Sequence, residues 1–135
     1  MLVGPGTTTR AVMTALGLPK SVLGIDVVVS GRLVAADADE ETLLGFAGPD
    51  ALLVVAPVGG QGFLLGRGNQ QLSPRVLRAI GRDRLLVVAT EAKLAALEGR
   101  PLLVDTGDPE LDEMLAGYRR VITGLRHETV YRVAS

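Results

Sequence analysis

The chain has 135 residues, of which 47% are hydrophobic, with a formal net charge of −1, one histidine and no cysteine. The absence of cysteine excludes disulfides, thiolate metal sites and a cysteine nucleophile, and it makes the cytosol the simplest compartment. The near-neutral charge gives no overall attraction to nucleic acid or to an anionic membrane. A chain of this length can bury one core, so we expect a single domain over residues 1–135.

The low aromatic content and the short apolar runs narrow the class further. Only 3% of the residues are aromatic, so the core must be built from Leu, Val, Ala and Ile, which suits the buried strands of an α/β protein. The longest apolar runs, such as residues 51–58, are too short to span a bilayer. The single histidine, His127, stands beside Glu128 in a predicted turn, where a surface position is expected rather than a role in Ser/His/Asp catalysis.

The amino end predicts a strand over residues 1–3, a glycine turn and a helix over residues 11–16. Threonines at a helix start can satisfy its free N–H groups, and such a start also favours phosphate. Helix capping alone is the simpler explanation, and the turn matches neither the Walker A pattern nor G-x-G-x-x-G. In the alternative, the residues predicted to bind phosphate are Gly6, Thr7, Thr8, Thr9 and Arg10.

A hairpin and an acidic helix are predicted next. Residues 21–29 and 32–35 form two predicted strands around a tight Ser-Gly turn. Asp26 interrupts the first, apolar strand, which predicts an edge position or a nearby functional group. The acidic run over residues 37–41 fits the start of a short helix, whose dipole it complements, better than it fits a metal site.

The glycine-rich stretch after the buried-type strand over residues 52–56 is the centre of the functional prediction. From residue 58 it runs V-G-G-Q-G-F-L-L-G-R-G-N-Q-Q-L-S-P. Glycine allows positive φ and the close approach of a ligand, and Asn and Gln amides can recognise the edge of a base or a ribose. A glycine-rich hairpin whose amides satisfy local backbone groups explains the pattern equally well. Arg67, between two glycines, is the residue best placed to hold a phosphate.

Further strands are predicted over residues 85–89 and 102–104, joined to the first buried strand in crossover units with short helices between them. Because α/β sheets bind ligands at the carboxyl ends of parallel strands, Asp105 is expected beside the glycine-rich loop and the turn over residues 4–10, here called the threonine turn. Residues 119–123 and 129–133 form a predicted hairpin. The fold class is therefore α/β, with a mixed, mainly parallel sheet flanked by short helices and with one or two hairpins.

The convergence of these turns predicts a site for a phosphorylated or nucleotide ligand. The spacing indicates no metal cage, no nucleophile–base pair and no paired carboxylates. The residues predicted to bind substrate or nucleotide are Gly59, Gly60, Gln61, Gly62, Phe63, Arg67, Asn69, Gln70, Gln71 and Asp105.

Five segments resemble the carboxyl-terminal region of bacterial and archaeal ATP-NAD kinase-like proteins, which belong to the NAD kinase family. The segments are G-P-G-T-T-T-R-A-V, V-L-G-I-D-V, G-G-Q-G-F-L-L-G-R-G-N-Q-Q-L-S-P, L-L-V-V-A-T and R-P-L-L-V-D-T-G-D-P-E-L-D. They cover nearly the whole chain, and the third is the most specific. In the better-known NAD kinases the corresponding loop reads roughly T-P-T-G-S-T-A-Y, whereas residues 56–63 here lack its Thr and Ser hydroxyls and have Phe63 for the aromatic residue.

The resemblance implies the substrate-binding and nucleotide-binding portion of a homo-oligomeric transferase. Such an enzyme phosphorylates the 2′-hydroxyl of NAD with ATP or polyphosphate, and Mg²⁺ would serve the phosphoryl transfer. The family's catalytic aspartate lies in a G-G-D-G motif of a separate amino-terminal domain, and that motif is absent from these 135 residues. We therefore expect the chain to be inactive alone and a separate G-G-D-G-bearing domain to supply the motif. The alternative is a non-enzymatic module for oligomerisation or nucleotide sensing.

Overall fold

The computed structural model describes residues 1–135 and contains one nine-stranded sheet with five α-helices. The strands are β1 (Leu2–Val3), β2 (Asp26–Val29), β3 (Arg32–Ala35), β4 (Leu53–Val55), β5 (Phe63–Leu65), β6 (Leu85–Val88), β7 (Leu102–Val104), β8 (Gly117–Gly124) and β9 (His127–Ala134). The helices are α1 (Thr7–Ala15), α2 (Glu40–Phe46), α3 (Pro74–Ile80), α4 (Glu91–Ala95) and α5 (Pro109–Leu115), and a 3-10 turn covers Arg82–Arg84.

The sheet is mixed and mainly parallel, which confirms the predicted fold class. Its strand order is β3-β2-β1-β4-β6-β8-β9-β7-β5. Five of the eight neighbouring pairs are parallel, and the other three are antiparallel. Two of the antiparallel pairs are the predicted hairpins, β2–β3 and β8–β9. The two L-L-V-V-A runs contribute β4 and β6, which are parallel neighbours as predicted.

The position predicted for β7 is wrong. The β8–β9 hairpin lies between β6 and β7. Within it, β8 is parallel to β6 and β9 is antiparallel to β8. Because β7 is parallel to β9, it runs antiparallel to β6. Each strand of this hairpin has eight residues, which lets one end pair with β6 and the other with β7. The helix α4 therefore does not connect two neighbouring parallel strands.

The helices begin where the sequence supplies caps. The side chains of Asp39, Ser73, Thr90 and Asp108 accept hydrogen bonds from the first turns of α2, α3, α4 and α5, which satisfies N–H groups that a helix leaves free. The apolar faces of α2, α3, α4 and α5 pack on one main core of 23 buried residues, all of them Leu, Val, Ile or Ala. No helix combines the length and the apolar composition that crossing a membrane requires.

Asp26 occupies neither an edge strand nor a site that opens to solvent. It begins β2, an interior strand between β1 and β3, and its side chain is fully buried against Lys20 at 3.0 Å. The Ser21 amide and hydroxyl and the Asp37 amide donate to the same carboxylate at 2.6–2.8 Å. Asp26 thus ties the loop before β2 to the segment after β3.

Candidate functional site

Four parallel strands end at one edge of the sheet and define the first place to look for a site. They are β1, β4, β6 and β8. The turn Gly4-Pro5-Gly6 follows β1, and the Gly4 amide donates to the Val54 carbonyl of β4 at 2.8 Å. The Ala89 amide after β6 likewise donates to the Ile122 carbonyl of β8 at 3.0 Å. Such carboxyl-terminal edges are where open α/β sheets place their ligands.

The threonine turn contains the start of α1, the longest helix of the chain, which begins at Thr7 rather than at the predicted residue 11. Gly6 is the residue before the helix and has φ of +124°, a conformation that favours glycine. No side chain caps this helix start, and its first turn contains no acidic residue. The hydroxyl of Thr9 is buried and donates to the Gly6 carbonyl at 3.0 Å, whereas Thr7 and Arg10 are exposed. The free N–H groups of α1 are therefore left for solvent or for a ligand.

An apolar cleft of about 380 Å³ adjoins this helix at the same edge of the sheet. One wall comes from α1, through Thr8, Ala11, Val12 and Ala15, and the other from the ends of β6 and β8 and the turn after β8. Thr8 belongs both to the first turn of α1 and to the cleft. A ligand that placed an anionic group at the helix start would thus have an apolar surface beside it.

The glycine-rich loop after β4 forms a short hairpin into β5. The Val58 amide donates to the Phe63 carbonyl at 2.7 Å, and the Lys93 ammonium of α4 donates to the Gly59 carbonyl at 2.9 Å. Gly59, Gly60 and Gln61 are exposed at its tip, whereas Gly62 is buried. No cleft in the structure is lined by residues 59–63.

Three of the predicted binding residues lie together: Phe63 at the start of β5, Arg67 after β5 and Asp105 after β7. The guanidinium of Arg67 lies over the Phe63 ring, 4.7 Å from its centroid, and 3.7 Å from the carboxylate of Asp105. Gly66 makes this approach possible, since it has φ of +94° and a Cβ there would lie 1.7 Å from the Asp105 carbonyl oxygen. Both members of the ion pair are more than half exposed, so the pair adds little to stability.

Asn69 is buried, and both ends of its amide bond to the loop itself. Its Nδ2 donates to the Leu64 carbonyl at 2.8 Å, and its Oδ1 accepts from the Gly66 amide at 3.1 Å. In this structure the side chain holds the shape of the segment after β5, and its contact with a ligand stays a prediction. Gln70 is exposed and Gln71 is half-buried.

The predicted convergence of three turns on one edge is wrong in part. The loop after β4 begins at the edge where the threonine turn lies, because β1 and β4 are parallel neighbours. Asp105 follows β7, which runs in the opposite direction, and so it joins Arg67 rather than the threonine turn. The reversal comes from the β8–β9 hairpin between β6 and β7.

The arginines of α3 are paired with acidic residues. Arg75 contacts Glu40 and Glu41 of α2 at 2.6 and 3.1 Å, and Arg78 contacts Asp108 at 2.8 Å. The hydrogen bond from Arg78, with help from the Leu111 amide, holds the pKa of Asp108 below its ordinary value. These charges connect α3 to its neighbours. No group of three or more His, Cys, Asp or Glu side chains is arranged to hold a metal ion.

Comparison with known families decides the identity of the fold. A family model described as the ATP-NAD kinase C-terminal domain matches residues 11–133. The chain belongs to this family. No curated protein and no solved structure matches it.

Membership in the ATP-NAD kinase C-terminal domain family confirms the resemblance that the sequence motifs suggested. The match includes the glycine-rich loop, Arg67 and Asp105, and it begins at Ala11, directly after the threonine turn. The family supports an NAD kinase-like, transferase role with nucleotide ligands. The roles of individual residues in this chain rest on the geometry described above.

The apolar wall of the cleft was not found from the sequence. Its residues from β6 and β8 include Val88, Ala89 and Ile122, together with Leu125 in the following turn. Val88, Ala89 and Ile122 belong to apolar strands that the sequence did predict, whereas Leu125 falls in the predicted turn. Their convergence depends on the parallel pairing of β6 with β8, and no local pattern in either strand specifies that pairing.

Proposed function

We propose that this chain is the nucleotide-binding portion of an NAD kinase-type transferase, which phosphorylates the 2′-hydroxyl of NAD with ATP or polyphosphate. The observation that carries the proposal is the family match over residues 11–133, together with a cleft beside α1 at the carboxyl edge of β1, β4, β6 and β8. The chain binds and orients a nucleotide, and the acidic G-G-D-G motif comes from a separate domain.

The start of α1 is the proposed phosphate position. Free N–H groups and the positive end of the helix dipole both favour an anion there. The exposed side chains of Thr7 and Arg10 add a hydroxyl donor and a positive charge. The hydrogen bond from the Thr9 hydroxyl to the Gly6 carbonyl stabilises the turn. Thr8 lies both at the helix start and in the apolar cleft, so a ligand bound at the helix start can extend into the cleft. The apolar walls of the cleft suit the face of a base or another flat ring.

The fit of the chain to Mg²⁺ is poorer than its fit to a nucleotide. Mg²⁺ prefers carboxylate and phosphate oxygens, and the structure contains no group of acidic side chains arranged as a metal site. When bound to phosphates, the ion neutralises charge that builds up in phosphoryl transfer. The residues of this chain would act on the nucleotide by binding it, orienting it and excluding water from the cleft.

Binding to labelled protein tests this proposal. NAD, NADP and ATP are titrated separately into ¹⁵N-labelled protein, and we expect saturable shifts in the amides of Thr7, Thr8 and the strand ends that line the cleft. The variant Thr7→Glu puts a negative charge at the helix start, which stabilises the helix but repels phosphate. It should weaken nucleotide binding by about tenfold without lowering stability.

Thr14→Glu is the matched control, since Thr14 is exposed near the other end of α1. It should leave nucleotide affinity unchanged. Equal affinities for the wild type and Thr7→Glu would contradict the phosphate position. The chain alone is also compared with a longer form that includes a G-G-D-G domain. If the longer form binds nucleotide and the chain alone does not bind at millimolar concentration, this portion is not a competent site by itself.

An interface role for the glycine-rich segment is the second candidate. It is favoured by the exposure of Gly59, Gly60 and Gln61 in a loop that lines no cleft. If the segment packs between subunits, Arg67→Ala combined with Gln70→Ala should reduce oligomer mass in light scattering while nucleotide affinity stays constant. A loss of affinity at unchanged mass would instead assign Arg67 and Gln70 to the nucleotide site.

A further inference from the structure

A second cleft lies at the opposite ends of two of the same strands. It has a volume of about 380 Å³ and lies between the 3-10 turn and the amino ends of β6 and β8. Three arginines, Arg82, Arg119 and Arg120, line it together with Tyr118. Because β6 and β8 are parallel, this cleft lies at the amino end of β6, beside Leu85 and Leu86, and the cleft beside α1 lies at its carboxyl end, beside Val88 and Ala89.

The positive charge in this cleft is not neutralised by the chain. Five ion pairs exist in the structure, and none of them includes Arg82, Arg119 or Arg120. Asp83 is the only acidic residue in the lining, which leaves a local excess of two positive charges in a protein whose net charge is −1. An excess of positive charge at a concave surface attracts and concentrates anions.

Arg119 is the most constrained of the three arginines. Its Nε donates to the Leu115 carbonyl at 3.3 Å, and its Nη1 donates to the Arg82 carbonyl at 3.1 Å. Its Nη2 is buried and has no hydrogen-bond partner. Burial, and then the charge of Arg82, lower the pKa of Arg119 to about 10. A charged donor that is shielded from water and unpartnered is costly. Arg119 also lines the cleft, so a small rotation of its guanidinium toward a bound acceptor would relieve that cost.

We propose that this arginine cleft binds a phosphate-type oxyanion, at a site separate from the nucleotide position beside α1. Guanidinium groups present planar pairs of donors that match phosphate oxygens, and three of them converge here with the exposed ring of Tyr118. The volume is large enough for linked phosphates. The phosphate can be free or carried by a nucleotide, and both sources present the same oxygens.

The test is a titration with sodium pyrophosphate at constant ionic strength, followed by amide shifts of ¹⁵N-labelled protein. We expect saturable shifts at Tyr118, Arg119 and Arg120 that do not depend on Thr7. Arg82→Gln and Arg120→Gln should each weaken pyrophosphate binding by about tenfold, because each removes charge-assisted hydrogen bonds. Arg126→Gln is the matched control, since this exposed arginine lies in the turn of the β8–β9 hairpin, and it should leave binding unchanged.

A parallel titration with ATP distinguishes the two sources. Shifts with pyrophosphate support a site for free phosphates, and shifts at this cleft with ATP alone support a phosphate carried by a nucleotide. No saturable shift with either ligand at millimolar concentration would overturn the proposal, as would an equal loss of affinity in Arg126→Gln. In Thr7→Glu the nucleotide position beside α1 is weakened while the arginine cleft is intact, so the two proposals can fail independently.

Discussion

At the scale of single residues, the ion pair between Lys20 and Asp26 is the most demanding feature of the structure. Both side chains are almost fully shielded from solvent, at 1% and 0% exposure. Taking two charges out of water is expensive, and here every oxygen of the carboxylate has a donor while Lys20 also donates to the Gly24 carbonyl at 2.8 Å. The pair is stable because it is fully hydrogen-bonded, and it therefore depends on each partner.

Removing one partner should be severe. In Asp26→Asn the ammonium of Lys20 is left buried without its counter-charge, which should lower the free energy of unfolding by about 3 kcal/mol. The double variant Asp26→Leu with Lys20→Met removes both charges but leaves the Ser21 and Asp37 amides without their acceptor. It should therefore be more stable than Asp26→Asn, since no unpaired charge remains, but less stable than the wild type. Urea unfolding measures both differences. An Asp26→Asn protein as stable as the wild type would show that the pair contributes nothing.

The same carboxylate predicts how stability responds to acid. Burial alone would raise the pKa of Asp26, but hydrogen bonds from Ser21, Asp37 and Lys20 lower it below the ordinary value of 3.8. A carboxyl group whose pKa is lower in the folded state contributes stability above its unfolded pKa and loses that contribution as pH falls through the folded pKa. Stability of the wild type should therefore fall more steeply below about pH 4 than that of Asp26→Asn. Parallel slopes in urea titrations at several pH values would contradict this.

At the scale of elements, the segment between β5 and α3 contains neighbouring residues with different roles: Asn69 stabilises the loop, and Gln70 is exposed and available for binding. Asn69 is 1% exposed and bonds to Leu64 and Gly66, so Asn69→Ala should lower the free energy of unfolding by about 2 kcal/mol, since two backbone groups lose their partner. The neighbouring Gln70 is exposed, and Gln70→Ala should change stability by less than about 0.5 kcal/mol. Thermal or urea unfolding measures both. Unchanged stability in Asn69→Ala, with nucleotide binding lost, would make Asn69 a ligand contact instead.

This segment also shows how far the sequence could predict an element. The glycines and amides of residues 59–71 left a ligand loop and a self-satisfied hairpin equally open. Local chemistry could not decide between them because Asn69 has the same donors and acceptor in either case. What assigns Asn69 to the loop is its burial, and burial depends on the strands that surround β5. The starts of α3 and α5 were more predictable. The capping side chains of Ser73 and Asp108 each accept a hydrogen bond from the amide three residues further along the chain, so the local sequence is sufficient to predict them.

At the scale of the whole molecule, the sequence predicted strand types better than strand order. The runs that became β4, β6 and β7 were recognisable because each is a short, continuous apolar stretch. Their neighbours were predicted from the crossover rule, which holds for β4 and β6 and fails for β7. The failure follows from the β8–β9 hairpin, whose length allows it to pair with both β6 and β7, and the same misplacement separated Asp105 from the threonine turn.

Because the β8–β9 hairpin joins the two parts of the sheet, it should also make them unfold together. Val133 of β9 is 2% exposed and pairs with Gly117 of β8 and Leu102 of β7, and the main core contains residues from both sides, such as Leu53 and Leu65. Val133→Ala should lower the free energy of unfolding by about 2 kcal/mol. Amide hydrogen exchange should show the same loss of protection in β4 and in β7, because both belong to one cooperative unit.

Val130→Ala is the control for this prediction, since Val130 lies in the same strand but is 63% exposed. It should lower stability by less than about 1 kcal/mol, the range over which strand preference alone varies. If Val133→Ala reduced protection in β5 and β7 while β1 and β4 kept theirs, the sheet would consist of two units that fold separately. In that case the nucleotide cleft, built from α1, β6 and β8, would survive in Val133→Ala, and nucleotide affinity measured on the same sample would reveal it.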